Sequence, residues 1–170
     1  MIRLIKFFAI ISFCLTTNAI ALIEIDITEG NREPLPIAIS DFFYDEADSL
    51  KLNEISNNLS DVVKADLERC GLFASINEDA FIQKNSAMHL RPRFEDWRLI
   101  KSQALVTGKL KIVDEDKLRV EFRLWDTLAE KEIEALVLIT TLDNWRRISH
   151  MISDKVYERL TGEKLSLIHI

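Results

Sequence analysis

The sequence predicts an α/β fold in which a mixed β-sheet is covered by helices on both faces. Three observations support this. Residues Gln103–Thr141 contain three β-rich runs separated by two polar breaks, which is typical of an antiparallel meander. Two other segments carry apolar residues at helical spacing. Strands and helices alternate before the meander, so the predicted order is β-α-β-α-β-β-β-α, with a possible additional strand at the start.

The meander is the most regular part of the pattern. Residues 119–124 alternate between charged and apolar side chains, which is the period of a half-buried strand. The polar breaks are residues 114–116 and 127–131. Asp114, Glu115 and Asp116 are consecutive, whereas a calcium loop spaces its carboxylates at alternate positions. We therefore expect residues 114–116 to form a solvated hairpin turn, and no metal site is predicted.

Two segments predict long amphipathic helices. Ser49 is suited to the N-cap of the first helix and Gly71 to its C-terminal end. Asp143 or Asn144 would cap the second helix, which would end at Gly162. The predicted apolar stripes are Leu52, Ile55, Leu59, Val62, Val63, Ala65, Leu67 and Cys70 in the first helix, and Trp145, Ile148, Met151, Ile152, Val156 and Leu160 in the second.

Shorter segments complete the predicted sheet and its cover. Pro36–Phe43 and Leu72–Ile76 are short apolar runs and predict buried strands. Residues Phe94–Lys101 predict a short helix that carries Trp97. Cys70, at the end of a helical stripe, is expected to be a small core residue and not a nucleophile.

The first 21 residues predict a secretory signal peptide. Arg3 and Lys6 precede an apolar run, and Ala19 and Ala21 are the small residues that a signal peptidase reads, so the mature chain would begin near Leu22. An uncleaved anchor is the alternative, which the short apolar run disfavours. We therefore expect an exported protein with no direct membrane insertion after cleavage.

Charge and cysteine content narrow the classes of partner. Removing the signal peptide takes away two positive charges, so the mature net charge is −6 − 2 = −8. An acidic surface argues against nucleic acid and against anionic membranes as partners. Bulky Phe13 before Cys14 argues against lipidation. Only Cys70 would remain after cleavage, so no intrachain disulfide is expected and the hydrophobic core must supply the stability.

The sequence carries no recognisable catalytic pattern. His89, His150 and His169 lie far apart, and there is no HExxH, GxSxG or glycine-rich phosphate loop. No cofactor is predicted. We interpret the chain as a binding module and not as an enzyme. A hydrolase or ligand-binding enzyme that uses an unrecognised cleft is the alternative, and a close catalytic pair at the carboxyl edge of the sheet would favour it.

The start of the mature chain has a strand pattern of its own. Residues Leu22–Thr28 alternate, and the breakers Gly30, Asn31 and Pro34 follow them. The segment is either an edge strand of the main sheet or a mobile arm that adds as a strand to the sheet of a partner. One face carries Leu22, Glu24, Asp26 and Thr28, and the other carries Ile23, Ile25 and Ile27.

Four stretches, in order, resemble the TolB amino-terminal domain family: IEIDITEGNREPLPIAISDF, VVKADLERCGLFASIN, VTGKLKIVDEDKLRVEFRLWD and NWRRISHMISDKVYERLTGEKL. They run from Ile23 to about Lys164. The most telling short pieces are Trp125-Asp126 and residues 160–162. Behind the predicted signal peptide at residues 1–21, the resemblance implies an arm at 22–33 and a TolB-like α/β domain at 34–164, which leaves a tail at 165–170 outside the family pattern.

The resemblance also implies a function. Proteins of this family are periplasmic in Gram-negative bacteria and have a five-stranded mixed sheet, similar to anticodon-binding domains, followed by a β-propeller. They belong to the Tol–Pal system, which maintains the outer membrane and helps to constrict it at division. The first mature residues bind the C-terminal domain of TolA, and the propeller binds the lipoprotein Pal. Carried over to this chain, the TolA-binding arm is Leu22, Ile23, Glu24, Ile25, Asp26, Ile27 and Thr28.

The last residues depart from the family pattern. Residues 165–170 do not match the family, and we expect either a truncated reading frame with a foreign tail or a stand-alone domain. Pal binding is expected only if a propeller is present. The alternative function is an activator module of a peptidoglycan synthase, which has a similar PxAxxDF strand. The lack of a lipidation cysteine and the presence of Trp125-Asp126 speak against that alternative.

Overall fold

A computed structural model describes residues 23, 33–45, 50–83 and 91–163 of the chain. These residues form a six-stranded mixed sheet with three α-helices. The strands are β1 (Leu35–Ile39), β2 (Phe43–Tyr44), β3 (Phe73–Ser75), β4 (Ala104–Asp114), β5 (Lys117–Asp126) and β6 (Lys131–Thr141). The helices are α1 (Leu50–Arg69), α2 (Phe94–Leu99) and α3 (Trp145–Thr161).

The sheet combines a parallel half with an antiparallel half. Its strand order is β3-β1-β4-β5-β6, and the short strand β2 pairs with β4. Strand β1 is parallel to both β3 and β4. Helix α1 carries the chain back between β1 and β3, as a parallel pair requires. Strands β4, β5 and β6 form the antiparallel meander, joined by short turns. The predicted mixed α/β fold is confirmed.

The predicted strand Pro36–Phe43 is interrupted, which is why the sheet has six strands. Strand β1 ends at Ile39, and β2 begins at Phe43. Between them, Phe42 is buried in the core with its ring against Gly108 of β4. A Cβ atom at Gly108 would collide with that ring, so the close approach of Phe42 requires glycine at this position.

The two faces of the sheet are covered unequally. Helices α1 and α3 pack together over one face and bury the larger core. The short helix α2 covers part of the other face through a smaller cluster, in which the aromatic rings of Phe94 and Trp125 meet edge to face at 5.9 Å. The smaller cluster consists of Ala38, Phe94, Trp97, Leu105 and Trp125. Helices on both faces were predicted.

The helix predictions hold with small corrections. Gly71 and Gly162 have φ values of +76° and +73°, the left-handed conformation expected after a helix. Ala65 is exposed and Met151 is 39% exposed, so their assignment to the buried stripes is wrong. Both predicted stripes are wider than the surface that each helix buries. Met151 lies at the flank of α3. Ser49 lies outside the described residues.

The start of α3 also differs from the prediction. Asn144 occupies the N-cap position, but its side chain makes no capping hydrogen bond. A short 3-10 helix, Leu142–Asn144, leads into α3 instead, with Leu142 buried in the core. Within the part of the chain that the structure describes, no helix is long and apolar enough to cross a membrane.

Candidate partner-binding site

The turn between β5 and β6 is organised by the carboxylate of Asp126. Asp126 ends β5 and is 0% exposed. Its Oδ1 atom accepts hydrogen bonds from the backbone N–H groups of Leu128 at 2.9 Å and Ala129 at 2.7 Å. Where the strand pairing ends, the aspartate side chain takes the place of a backbone carbonyl group. It accepts the hydrogen bonds of the N–H groups in its own turn. Asp126 therefore fixes the geometry of this turn.

The second oxygen of the same carboxylate reaches Ile23, a residue far earlier in the sequence. Asp126 Oδ2 accepts a hydrogen bond from the backbone N–H of Ile23 at 3.1 Å, across 103 residues of sequence. Ile23 is half-buried and packs against the larger core. Hydrogen bonds to a charged group contribute about 1.5–3 kcal/mol each, so this contact is strong enough to order one residue of the predicted arm.

The surroundings of Asp126 hold it rigidly. Thr127 N–H donates to Gln103 O at 3.0 Å, and the Thr127 hydroxyl also donates to the backbone there. The indole Nε1–H of Trp125 donates to Thr107 Oγ1 at 2.9 Å. Both Trp125 and Thr107 are buried, so this polar pair is satisfied within the smaller core. The Trp125-Asp126 pair thus connects the hydrophobic cover of the sheet with the binding of Ile23.

Most of the predicted arm lies outside the described residues. Of the TolA-binding residues, the structure places Ile23 only; Leu22, Glu24, Ile25, Asp26, Ile27 and Thr28 are not described, and neither are Ala19 and Ala21 of the predicted cleavage site. Whether residues 22–28 form an edge strand or an arm therefore stays a prediction. The family resemblance marks Trp125-Asp126 in the sequence, but no local pattern connects Asp126 with Ile23.

Two close pairs of polar side chains are the strongest candidates for catalytic groups among the described residues. His150 Nδ1 lies 2.6 Å from Asp66 Oδ2 and joins α3 to α1. Asp66 is buried and also pairs with Arg69 of its own helix at 3.2 Å. The contact of Asp66 with His150 therefore serves as a link between the two helices. Ser60 donates to Asp41 at 2.5 Å, but Ser60 is fully buried and cannot meet a substrate. Neither arrangement supports hydrolysis.

The acidic turn at residues 114–116 and the thiol of Cys70 have structural environments that explain them without a catalytic or metal-binding role. The predicted hairpin turn is confirmed at residues 115–116, and Asp114 pairs there with Lys117 at 3.5 Å. Among the described residues, no group of three His, Cys, Asp or Glu side chains could hold a metal ion. Burial raises the pKa of the half-buried Cys70 thiol, which makes it a weaker nucleophile.

Comparison with known proteins identifies the family. The family described as the TolB amino-terminal domain matches residues 23–133, which is more than half of the chain. The chain belongs to the TolB amino-terminal domain family. The Tol-Pal system protein TolB of Pelagibacter ubique (strain HTCC1062) is 50% identical over 95% of this chain. That alignment covers 37% of the relative, so the chain spans just over a third of the length of this TolB protein.

Solved structures agree with this assignment of the fold. The crystal structure of TolB from Acinetobacter baumannii matches with a TM-score of 0.62 and 23% identity, covering 85% of this chain and 32% of that one. The lipoprotein GNA1162 from Neisseria meningitidis matches with a TM-score of 0.50 and 15% identity, covering 64% and 81%. At these identities the likeness supports the TolB-like fold alone.

Proposed function

We propose that this chain is a non-catalytic periplasmic adaptor of the Tol–Pal system that supports outer-membrane integrity and constriction at division. Its N-terminal arm, Leu22–Thr28, would bind the C-terminal domain of TolA by strand addition, without a cofactor. Membership of the TolB family and the name of the Pelagibacter relative support a role in the Tol–Pal system. Pal would bind the part of the longer relatives that this chain does not span.

The observation that carries the arm proposal is the contact between Ile23 and Asp126. A backbone N–H group given to a side-chain carboxylate is not given to a neighbouring strand, so Ile23 is held in a way that a partner strand can replace. The contact supports an arm that begins beside the Trp125-Asp126 turn. A partner strand would offer backbone carbonyl groups to the N–H of Ile23. To bind it, the partner would have to displace one carboxylate and not a complete strand pairing.

The energetics predict a modest affinity. Isoleucine side chains at 23, 25 and 27 lie on one face of the arm, and each contributes about 1.5–3 kcal/mol when fully buried. Ordering each backbone residue costs about 1–2 kcal/mol, which offsets much of that gain. Binding should therefore depend strongly on each isoleucine that enters a pocket of the partner.

The deciding experiment is calorimetry with the purified TolA C-terminal domain. The chain from Leu22 should bind, and a matched chain from Arg32 should not. Ile25→Asp should weaken binding by about 10- to 150-fold without lowering the melting temperature. Asp26→Asn, on the opposite face of the arm, is the matched control and should change binding little.

The other outcomes would overturn parts of the proposal. Equal binding by the chains from Leu22 and Arg32 would place the interface on the globular domain. Absence of binding by both would remove TolA as the partner. If Ile25→Asp lowered the melting temperature as strongly as it weakened binding, residue 25 would belong to the domain core and the arm interpretation would be wrong.

A further inference from the structure

We propose that the sheet face opposite helices α1 and α3 is a docking surface for an acidic amphipathic helix of another protein. We call this surface the open face; it consists of the side chains of β4, β5 and β6 that the short helix α2 leaves uncovered on that side. Binding there would involve neither the TolA arm nor the outer edge of β6.

The direction of the side chains along β5 defines the open face. The apolar residues at 118, 120, 122 and 124 are buried in the larger core, beneath α1 and α3. Side chains alternate along a strand, so the residues between them point to the opposite face. Trp125 confirms this direction, because it packs with α2 in the smaller cluster. The strand register places Lys109 opposite Glu121 and Lys111 opposite Arg119, on the same face.

The open face is basic on a chain that is acidic. Its cations are Lys109, Lys111, Lys117, Arg119 and Arg123, and its carboxylates are Glu121 and Glu132. Five positive and two negative charges give this face +3, whereas the whole chain has a net charge of −6. Salt screens charges beyond about 8–10 Å, so a partner at this face responds to the local positive charge and not to the charge of the whole chain.

Two cations face each other near the centre of the open face. Lys111 of β4 and Arg119 of β5 are cross-strand partners, and such residues have Cβ atoms about 4.5–5.5 Å apart. Like charges directly opposite each other destabilise a sheet. Arg119 pairs with Glu121 at 2.9 Å, but within the described part of the chain Lys111 has no acidic partner. We attribute this costly arrangement to a carboxylate that a partner supplies.

Carboxylates already pair with cations at the rim of the open face. Asp45 Oδ2 lies 2.6 Å from Lys109 Nζ, and Asp114 Oδ2 lies 3.5 Å from Lys117 Nζ. The acidic rim would repel an extended anionic surface such as a membrane, because a flat surface cannot reach the centre of the face without meeting the rim. A compact acidic segment that fits inside the rim is therefore the favoured occupant.

An apolar column lies beside the basic residues on the same face. The β6 residues that pair with Arg119, Glu121 and Arg123 are Ile139, Val137 and Ala135. Ile139 is 63% exposed and Val137 is 51% exposed. The face is thus basic along β4 and β5 and apolar along β6. A helix that carries an acidic stripe beside an apolar stripe is complementary to this arrangement.

The dimensions of the open face suit one helix. Residues 117–123 extend about 20 Å along β5, and three strands with their side chains are about 14 Å wide. A helix of about 14 residues is about 20 Å long and about 10–12 Å wide. Residues four apart on a helix are about 6 Å apart, and residues two apart on a strand are about 6.7 Å apart, so successive side chains of the two elements can meet.

The test is an NMR titration of the isotope-labelled chain from Leu22 with a synthetic helical peptide. The peptide has about 14 residues, with glutamate and leucine on adjoining stripes. The contact is smaller than a standard interface of about 800 Å² per partner, so we expect a dissociation constant of about 0.1–1 mM. Amide signals of β4 and β5 should shift, and added salt should reduce the shifts. A control peptide with lysine in place of each glutamate should not bind.

The variant Lys111→Glu separates binding from folding. It places a carboxylate opposite Arg119, which replaces repulsion across the strands with attraction and should keep or raise the melting temperature. The affinity for the acidic peptide should nevertheless fall about five- to tenfold. Lys51→Glu is the matched control, because Lys51 is exposed on α1, on the other side of the sheet, and should leave the affinity unchanged.

Five outcomes would overturn the proposal. The absence of any shift with the acidic peptide would show that the face does not bind such a helix. Equal affinities of Lys111→Glu and the parent chain, or shifts confined to α1 and α3, would place the binding elsewhere. Tighter peptide binding by the chain from Arg32 would show that the arm of this chain occupies the face. Binding to phosphatidylglycerol vesicles without binding to the peptide would make an anionic membrane the partner.

Discussion

The two turns of the meander contain the same residue type in opposite roles. Asp114, at the turn between β4 and β5, has a side chain that is 63% exposed and pairs with Lys117 in solvent. Asp126, at the turn between β5 and β6, is buried and accepts hydrogen bonds from three backbone N–H groups. The exposed aspartate closes a hairpin, whereas the buried one joins a turn to the start of the chain. Burial distinguishes the aspartate that organises the fold from the one that lies in solvent.

Asp126→Ala should have the largest effect. It would leave the N–H groups of Leu128, Ala129 and Ile23 without their acceptor inside the fold, which should lower the free energy of unfolding by about 2–4 kcal/mol. Asp114→Ala should change it by less than about 0.5 kcal/mol. Urea unfolding of both variants measures the difference. Equal losses would mean that the two turns are equivalent and that the comparison is wrong.

Asp126→Asn should separate the turn from the arm. The amide oxygen can still accept from Leu128 and Ala129, while the NH₂ group would face the N–H of Ile23 and release it. We expect TolA to bind up to about tenfold more tightly, because the arm no longer has to leave its carboxylate. Asp114→Asn is the control for the loss of one charge. Unchanged affinity in Asp126→Asn would show that the Ile23 contact does not compete with the partner.

Trp125→Phe tests whether the surroundings hold Asp126. Losing the hydrogen bond to Thr107 should cost about 1–2 kcal/mol, since the hydroxyl is left buried. A double-mutant cycle with Thr107→Val should give a coupling energy of about 1 kcal/mol. A coupling energy near zero would mean that the indole acts through its packing with Phe94 alone.

The smallest effect is expected at the exposed turn. Lys117→Ala removes the partner of Asp114 and should lower the free energy of unfolding by less than about 0.5 kcal/mol, an effect that salt screens further. Unfolding at low and high ionic strength measures it. A loss above about 1 kcal/mol would show that the ion pair of this turn is more than a surface contact.

The sequence predicts the parts of this molecule that depend on local order. Alternation and helical spacing locate the meander and both long helices, because burial on one face imposes a period on the chain. The interruption after Ile39 was missed, since it results from the packing of Phe42 on Gly108, which lies 66 residues further along the chain. Local periodicity does not report such contacts.

The same limit applies to the candidate site. The strand pattern of residues 22–28 was visible, and an aspartate followed by turn residues is a local signal for the turn at Asp126. The hydrogen bond from Ile23 to Asp126 was not predictable, because nothing near either residue identifies the other. The position of β6 at an edge of the described sheet likewise follows from the order of strands and not from the residues of β6 alone.

The sequence distance between Ile23 and Asp126 has a consequence in time. Ile23 is synthesised 103 residues before its carboxylate partner. Whether the chain emerges from the ribosome or from an export channel, its N-terminal part appears first. Until Asp126 has emerged, Ile23 has no acceptor from that residue, and the contact forms only after β5 has joined the sheet. A docked Ile23 therefore reports that the end of β5 has reached its place in the sheet.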